Sequence, residues 1–213
     1  MLIIAHRGFW IKETEKNTLK AFEKSFQNNF GVETDLRDML KQVVISHDIP
    51  NENSLSLDNF FTLYKRFLNN FPLALNIKAD GLQSILKKNL EKYDINNYFV
   101  FDMSIPDALL YLRAGFNVFT RQSEYEKQPS FYNEAYGVWM DEFYEHWIDE
   151  RIIQEHLENN KKICIVSPEL HKRDFKEEWQ EYREISKKLK NGDDLMICTD
   201  YPLQAKEFFN EQN

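Results

Sequence analysis

Five residues in the first quarter of the sequence have types and spacings that could support chemistry: His6, Arg7, Glu33, Asp35 and His47. Glu33 and Asp35 are two positions apart in an apolar run, so in a β-strand both carboxylates point to the same face. Two carboxylates held together repel each other unless a cation lies between them, and oxygen ligands suit Mg²⁺ or Ca²⁺. A histidine titrates near neutral pH and can act as a general acid or base. The set is therefore suited to binding a divalent cation and cleaving a phosphate ester.

A second pair with the same spacing, Asn76 and Lys78, ends a later apolar run. In a strand, the amide oxygen and the ammonium group would share a face. The chain has 27 Lys and Arg against 35 Asp and Glu, a net charge of −8. This charge disfavours partners such as nucleic acid or an anionic membrane surface. An anionic small-molecule substrate would therefore need local positive charge, which Arg7 and Lys78 could supply.

The chain of 213 residues is long enough for one sizeable core, and it contains no repeat or low-complexity tract, so we predict a single domain over residues 1–213. No apolar stretch approaches the ~20 residues that a membrane-spanning helix needs. Residues 1–6 lack a basic region before the apolar run, so they do not resemble a signal peptide. The two cysteines, Cys164 and Cys198, fit reduced core thiols better than a disulfide. We therefore expect a cytoplasmic protein.

Short apolar runs alternate with amphipathic segments along the whole chain, a pattern typical of βα units and a parallel sheet. The predicted strands are Leu2–His6, Gly31–Leu36, Leu73–Lys78, Tyr98–Met103, Asn117–Gln122, Gly137–Phe143, Lys162–Pro168 and Leu195–Asp200. The predicted helices are Thr18–Asn29, Leu57–Asn69, Leu82–Tyr93, Ile105–Ala114, Trp147–Asn159, Asp174–Lys190 and Pro202–Asn210. Asn17 is the predicted N-cap of the first helix. Eight strands favour an α/β fold of the (β/α)8 TIM-barrel class, and a doubly wound open sheet is the alternative.

One further apolar run, Val43–His47, follows the second strand too closely for a crossover helix to fit between them. We therefore predict an extra β-hairpin after strand two, folded over the barrel mouth. In a TIM barrel the working residues lie at the C-terminal ends of strands, where His6, Glu33, Asp35 and Lys78 are expected. The remaining histidines show no paired spacing and are predicted to be surface residues: His146, His156 and His171.

The sequence resembles the glycerophosphodiester phosphodiesterases. The segments that carry this resemblance are His6–Gly8, Asn17–Phe22, Gly31–Asp35, Val43–Asp48, Leu75–Lys78 and Cys198–Pro202. The N-terminal third is the most specific part, and the segment Thr199–Pro202 looks like the family's final-strand Thr-Asp-x-Pro motif.

The resemblance implies a metal-dependent phosphoric diester hydrolase that acts on a glycerophosphodiester or a similar small polyol phosphodiester. It implies His6 and His47 as the general acid and base. Contacts to the phosphate are implied for Arg7 and Lys78. The implied ligands of one divalent cation, Mg²⁺ or Ca²⁺, are Glu33, Asp35 and Asn76.

Two positions depart from the family pattern. The family's Glu-Asn-Thr is here Lys16-Asn17-Thr18, with Glu15 displaced by one position, and Asn76 stands where the family has a carboxylate. Two alternatives therefore stay open. One is a phosphodiester lyase that forms a cyclic phosphate, as in the sphingomyelinase D group, which shares the two histidines and the Glu-x-Asp pair. The other is a non-catalytic barrel that binds a phosphate ligand.

Overall fold

The computed structural model describes residues 1–67, 71–189 and 194–210 and divides the chain into two compact units. The N-terminal unit is Ala5–Val118, and the C-terminal unit is Met1–Ile4 together with Phe119–Asn213. Ten strands and seven α-helices are found in the described residues, so the protein belongs to the α/β class. The predicted single domain over residues 1–213 stays a prediction.

The N-terminal unit takes its strands from the first half of the chain. They are the end of β1 (Leu2–His6), β2 (Gly31–Met39), β3 (Gln42–Ile45), β4 (Leu55–Ser56), β5 (Leu73–Ile77) and β6 (Tyr98–Phe101). The first part of β2 pairs in parallel with β5, which pairs in parallel with β6. The last part of β2 pairs in antiparallel fashion with β3, and β4 is added to β3. The extra hairpin predicted after the second strand is therefore present.

The helices of this unit cover the apolar face of its strands with aromatic side chains. They are α1 (Leu19–Gln27), α2 (Leu57–Tyr64), α3 (Gln83–Lys92) and α4 (Ile105–Arg113). Phe22 and Phe26 of α1 pack on Phe60 of α2, with the rings of Phe22 and Phe60 4.5 Å apart. The predicted helix limit at Asn69 lies outside the described residues.

The beginning of α1 differs from the prediction. Thr18, and not Asn17, is the N-cap, because its hydroxyl accepts a hydrogen bond from the backbone N–H of Ala21. Asn17 has a φ of 58°, in the left-handed region that asparagine tolerates better than most residues. This conformation directs the Asn17 side chain to β2.

The segment after β1 is a tight turn against α1. Arg7 and Gly8 have φ values of 55° and 85°. A Cβ atom at Gly8 would lie 2.9 Å from the Cβ of Ala21, so the turn needs glycine for space as well as for conformation. The backbone N–H of Asn17 donates to the carbonyl of Arg7 over 2.9 Å. The turn therefore fixes His6 and Arg7 relative to the start of α1.

The C-terminal unit contains β7 (Phe119–Gln122), β8 (Gly137–Met140), β9 (Lys162–Val166) and β10 (Leu195–Thr199), which form parallel pairs in the order β10-β9-β8-β7. Its helices are α5 (Glu150–Glu158), α6 (Lys176–Lys188) and α7 (Pro202–Asn210). The predicted helix limit at Lys190 lies outside the described residues. In the described parts of the chain, no helix has the length and apolar character needed to cross a membrane.

The cysteines and His156 of this unit had been assigned surroundings from the sequence. Cys164 and Cys198 are buried, as predicted for core thiols, and neither forms a disulfide bond in the described residues. The prediction that His156 is a surface residue was wrong, because its side chain faces the strands and only 4% of the residue is exposed. Its ring nitrogens lie 2.7 Å from the Gln122 amide oxygen and 2.8 Å from the Tyr132 hydroxyl.

Candidate active site

Strand β2 places two carboxylates side by side in the interior of the N-terminal unit. Glu33 and Asp35 are separated by one residue, and both are fully or almost fully buried. Asp35 is the register partner of Asn76 on β5, so these two side chains project from neighbouring strands to the same face. The three predicted metal ligands therefore come from two adjacent, hydrogen-bonded strands.

Asp35 is surrounded by positive and donating groups. Its Oδ2 atom is 3.1 Å from Nε of Arg7 and accepts a hydrogen bond of 2.9 Å from the side-chain amide of Asn17. Its Oδ1 atom lies 3.7 Å from Nζ of Lys78. A carboxylate with no exposed surface is costly unless it is paired, and here two cations compensate its charge.

Glu33 is almost fully buried next to Asp35. Burial first, and the neighbouring charge of Asp35 second, raise the pKa of Glu33 to about 7. Its Oε2 atom accepts a hydrogen bond from the backbone N–H of Arg7 over 3.1 Å and lies 3.9 Å from Nε2 of His6. The end of β1 and the turn after it are thereby attached to Glu33.

Lys78 follows β5 and joins two carboxylates. Its ammonium group lies 3.2 Å from Oδ2 of Asp102, in addition to its contact with Asp35. Asp102 is the first residue after β6, with a φ of 69°. Sequence reasoning did not single out Asp102, although its position near the C-terminal end of the predicted strand Tyr98–Met103 is the signal that could have found it.

His47 lies just beyond β3, one residue after Ser46. The backbone N–H of Ser46 donates to the carbonyl of Asp35, so the hairpin is attached to β2 next to the acidic pair. The His47 side chain is 47% exposed, and its Nδ1 atom is 2.9 Å from a carboxylate oxygen of Asp48. This aspartate can orient the ring. The other histidine, His6, is more enclosed, with 17% of its side chain exposed.

An open cleft of about 820 Å³ connects part of the predicted set to solvent. Arg7 and His47 line it, together with Lys16 and Asn17. Glu33, Asp35 and Asn76 do not line this cleft, because their side chains are buried on strands β2 and β5. The structure thus joins Arg7, Glu33, Asp35 and Lys78 by direct contacts and joins His47 to Arg7 through the shared cleft.

Glu15 and Lys16, the two residues before Asn17, make contacts away from the acidic pair. The Glu15 carboxylate accepts hydrogen bonds from the backbone N–H of Ile11 and from Nζ of Lys20, and the Lys20 bond is the main cause that lowers the pKa of Glu15 to about 2. The ammonium group of Lys16 lies 4.3 Å from the centre of the Trp10 ring. The displaced acid is therefore used within its own loop.

Two buried oxygen atoms indicate that a cation fits this group. Oδ1 of Asp35 and Oδ1 of Asn76 are enclosed, and neither accepts a hydrogen bond within the described residues. A buried acceptor without a donor is unfavourable, and these two belong to register partners on β2 and β5. With the neighbouring Glu33 carboxylate they offer the all-oxygen donor set that Mg²⁺ and Ca²⁺ prefer.

Solved structures of other proteins resemble the structure of this chain at low sequence identity. No protein-family model matches the sequence, and no curated protein matches it. A glycerophosphodiester phosphodiesterase from Agrobacterium tumefaciens superposes with a TM-score of 0.67 at 14% identity, covering 98% of this chain and 97% of that one. A glycerophosphoryl diester phosphodiesterase from Parabacteroides distasonis gives a TM-score of 0.64 at 14% identity, covering 98% of this chain and 86% of that one. The chain has the glycerophosphodiester phosphodiesterase fold.

This fold confirms the predicted class, a (β/α)8 TIM barrel with an added hairpin after its second strand. In TIM barrels, active sites lie at the C-terminal ends of the strands. His6 ends β1, Glu33 and Asp35 lie within β2, and Lys78 follows β5. Sequence reasoning assigned Asn17 only to helix capping and therefore missed its contact with Asp35.

Proposed function

We propose that this protein is a metal-dependent phosphoric diester hydrolase that acts on a glycerophosphodiester or a similar small polyol phosphodiester. The observation that carries the proposal is the buried Glu33 and Asp35 pair, which contacts Arg7 and Lys78 on a glycerophosphodiester phosphodiesterase fold. Both structural neighbours are phosphodiesterases of glycerophosphodiesters, which supports the same substrate class.

The two cations of the site suit an anionic substrate in a protein of net charge −8. Arg7 lines the cleft, and its guanidinium group is held by Asp35 on one side. In the proposal, Arg7 and Lys78 contact the nonbridging oxygens of the phosphate. Because Asp35 and Asp102 hold both cations in place, little side-chain entropy is lost when the phosphate binds.

The proposed cation ligands are Glu33, Asp35 and Asn76. A bound Mg²⁺ or Ca²⁺ would supply positive charge to the phosphate oxygens. Asp35 would offer Oδ1, because Arg7 and Asn17 already occupy its Oδ2 atom. Asn76 contributes an uncharged oxygen, so the three ligands carry two negative charges.

His6 and His47 would exchange protons with the reacting oxygens. One imidazole accepts the proton of the attacking hydroxyl or water as the new P–O bond forms. The other donates a proton to the alcohol oxygen as the old P–O bond breaks, so that one proton is gained and one is released in each turnover. Asp48 orients the His47 ring, and Glu33 lies close to Nε2 of His6.

Histidine variants test the assignment. We expect His6→Ala and His47→Ala each to lower kcat at least ~10²-fold on a glycerophosphodiester with Mg²⁺ or Ca²⁺, because general acid–base catalysis contributes about that much. A chelator should lower the activity of the unaltered protein in the same assay. His171→Gln is the matched control, because this histidine also pairs with one carboxylate, Asp141, but lies in the C-terminal unit.

The outcomes separate the alternatives. Full activity of either histidine variant, with folding verified by circular dichroism, would remove that histidine from the proposal. Phosphorus NMR that shows a persistent cyclic phosphate would indicate a lyase. No turnover of any glycerophosphodiester with any divalent cation would favour the non-catalytic barrel.

A cytoplasmic location and the absence of nucleic-acid partners are part of the proposal. Both rest on chemistry given above: the location follows from the buried thiols Cys164 and Cys198, and the absence of nucleic-acid partners from the excess of acidic residues.

A further inference from the structure

Three side chains of the C-terminal unit converge in a second acidic group that includes a histidine. Glu142 lies two residues beyond β8, His146 follows in the same loop, and Glu178 is on α6. Each offers one ligand atom, and these atoms all lie within 4.8 Å of one another. In residues 1–67, 71–189 and 194–210, this is the group of His, Cys, Asp and Glu side chains whose spacing fits a metal ion.

The two nitrogens of His146 face different partners. Nδ1 is 2.9 Å from Oε1 of Glu142 and 3.6 Å from Oε2 of Glu178. Nε2 is 3.0 Å from a carboxylate oxygen of Glu181, on the opposite side of the ring. Metal-bound histidines characteristically bind through one nitrogen and donate the other N–H to a carboxylate, which fixes the ring. His146 has this arrangement, with Nδ1 directed to the acidic pair.

A separate observation concerns Glu178. Its Oε2 atom is buried and accepts no hydrogen bond from any residue that the structure describes, and only 8% of the residue is exposed. The other oxygen of the same carboxylate is bound by Arg173. The unsatisfied oxygen therefore belongs to a side chain that is fixed in place and directed toward His146 and Glu142. A buried oxygen without a donor is the kind of atom that a cation would satisfy.

Glu142 is held rigidly in position. Its Oε1 atom accepts hydrogen bonds from the backbone N–H groups of Trp147 and Ile148, and its Oε2 atom accepts one from the Tyr182 hydroxyl over 2.9 Å. Arg173 also lies 3.5 Å from Glu142 and compensates part of the local negative charge. The carboxylates of Glu142, Glu178 and Glu181 nevertheless outnumber this one arginine around the imidazole.

We propose that Glu142, His146 and Glu178 bind one divalent transition-metal cation of the Zn²⁺ type. One imidazole nitrogen and two carboxylate oxygens suit Zn²⁺, whereas Mg²⁺ and Ca²⁺ favour ligand sets made only of oxygen. The His146 side chain is 33% exposed, so the ion can enter from solvent and keep a water ligand. The bound ion would tie the loop after β8 to α6.

The test is a titration of the full-length, metal-stripped protein with ZnCl2 by calorimetry, in excess Mg²⁺ so that the all-oxygen group on β2 and β5 is occupied. We expect Glu178→Gln and His146→Gln to weaken Zn²⁺ binding at least ~10-fold. Glu178→Gln keeps the shape of the side chain and an amide oxygen that can still accept a hydrogen bond from Arg173, so we expect this variant to fold. It therefore keeps the test decisive even if His146→Gln does not fold. His171→Gln is the control, because that histidine faces one carboxylate and not three.

A second readout is thermal stability, because a ligand that binds only the folded state raises Tm. Zn²⁺ should raise Tm of the unaltered protein and of His171→Gln, and should have little effect on Glu178→Gln. The proposal is overturned if the unaltered protein binds no Zn²⁺, or if both substitutions in the cluster leave Zn²⁺ affinity unchanged. Equal weakening by His171→Gln would also overturn it.

Discussion

Asp35 depends on residues that are far from it in the sequence. Arg7 and Asn17 approach one of its oxygens and Lys78 approaches the other. Asn17 in turn accepts a hydrogen bond from the Thr34 hydroxyl, so its amide group bridges two consecutive residues of β2. Asn17 is therefore a positioning residue for the proposed site, acting through Asp35.

At this scale we predict that Asn17→Ala lowers kcat/KM about 10–100-fold, the usual effect of removing a residue that orients a metal ligand. It should also lower the free energy of unfolding by about 1–3 kcal/mol, because it leaves a buried carboxylate oxygen with one donor fewer. Steady-state kinetics and urea denaturation measure the two effects.

Asn160→Ala is the matched control for backbone conformation. Asn160 has a φ of 56°, close to the 58° of Asn17, and it is exposed after α5. Both substitutions place alanine in the left-handed region, so the cost in backbone conformation is common to both. Asn17 also contacts Asp35, so only Asn17→Ala should change activity. Unchanged kinetics for Asn17→Ala would show that its contact with Asp35 does not matter for catalysis.

Single residues also show what sequence reasoning can reach. The shared face of Glu33 and Asp35 follows from strand periodicity alone, and the structure has it. The contacts of Asn17 and Asp102 connect parts of the chain 18 and 24 residues apart, and no local pattern encodes them. His156 was misassigned for a similar reason, because its partners Gln122 and Tyr132 lie at sequence distances of 34 and 24.

At the scale of elements, alternation of apolar and amphipathic segments was enough to predict the eight barrel strands and the seven α-helices that the described residues contain. The local limits were less accurate. The second strand continues to Met39 as one arm of the hairpin, because Arg37 and Asp38 pair with Val44 and Val43 although they interrupt the apolar run. The turn of this hairpin, Leu40–Lys41, has positive φ at both residues without any glycine.

The contact between the turn after β1 and α1 predicts a difference between two glycines. Gly8 and Gly81 both have a φ of 85°, but a Cβ atom would meet Ala21 and Phe22 at Gly8, whereas at Gly81 it would have no atom of the described residues within 4 Å. Gly81→Ala should cost about 1–2 kcal/mol for its backbone conformation. Gly8→Ala should cost about 1–3 kcal/mol more, because the turn or α1 must shift.

Denaturant unfolding of the two variants side by side measures this difference, because the conformational cost is common to both. Equal destabilisation would mean that the turn moves away from α1 freely. In that case the position of His6 and Arg7 would not depend on the packing of α1.

At the scale of the whole molecule, several buried or paired groups hold protons more tightly than they would in the unfolded chain. A hydrogen bond to Glu142 is the main cause that raises the pKa of His146 to about 9. Burial raises the pKa of Glu178 to about 8 and that of Glu33 to about 7. For all three groups the folded state binds the proton more strongly, so deprotonation favours unfolding.

We therefore predict that Tm of the metal-stripped protein falls as the pH is raised from about 6 to about 9. His146 contributes the part above its ordinary pKa of 6.5, since its stabilisation is complete below that pH and is lost as the pH passes about 9. Calorimetry at constant ionic strength measures the trend. In a His146→Gln variant, Tm should fall less above pH 6.5 than in the unaltered protein. If Tm of the unaltered protein stays constant or rises over this range, these groups do not hold their protons more tightly in the folded state.

The short strand β4 has a consequence for how the protein behaves at high concentration. It consists only of Leu55 and Ser56 and lies at the end of the strand order β4-β3-β2. An exposed sheet edge invites another chain to add a strand and start aggregation. A two-residue edge preceded by the exposed polar residues Asn51, Glu52 and Asn53 offers almost no free backbone for such pairing. Strand β4, which follows His47 and pairs with β3, thus protects this end of the sheet from self-association.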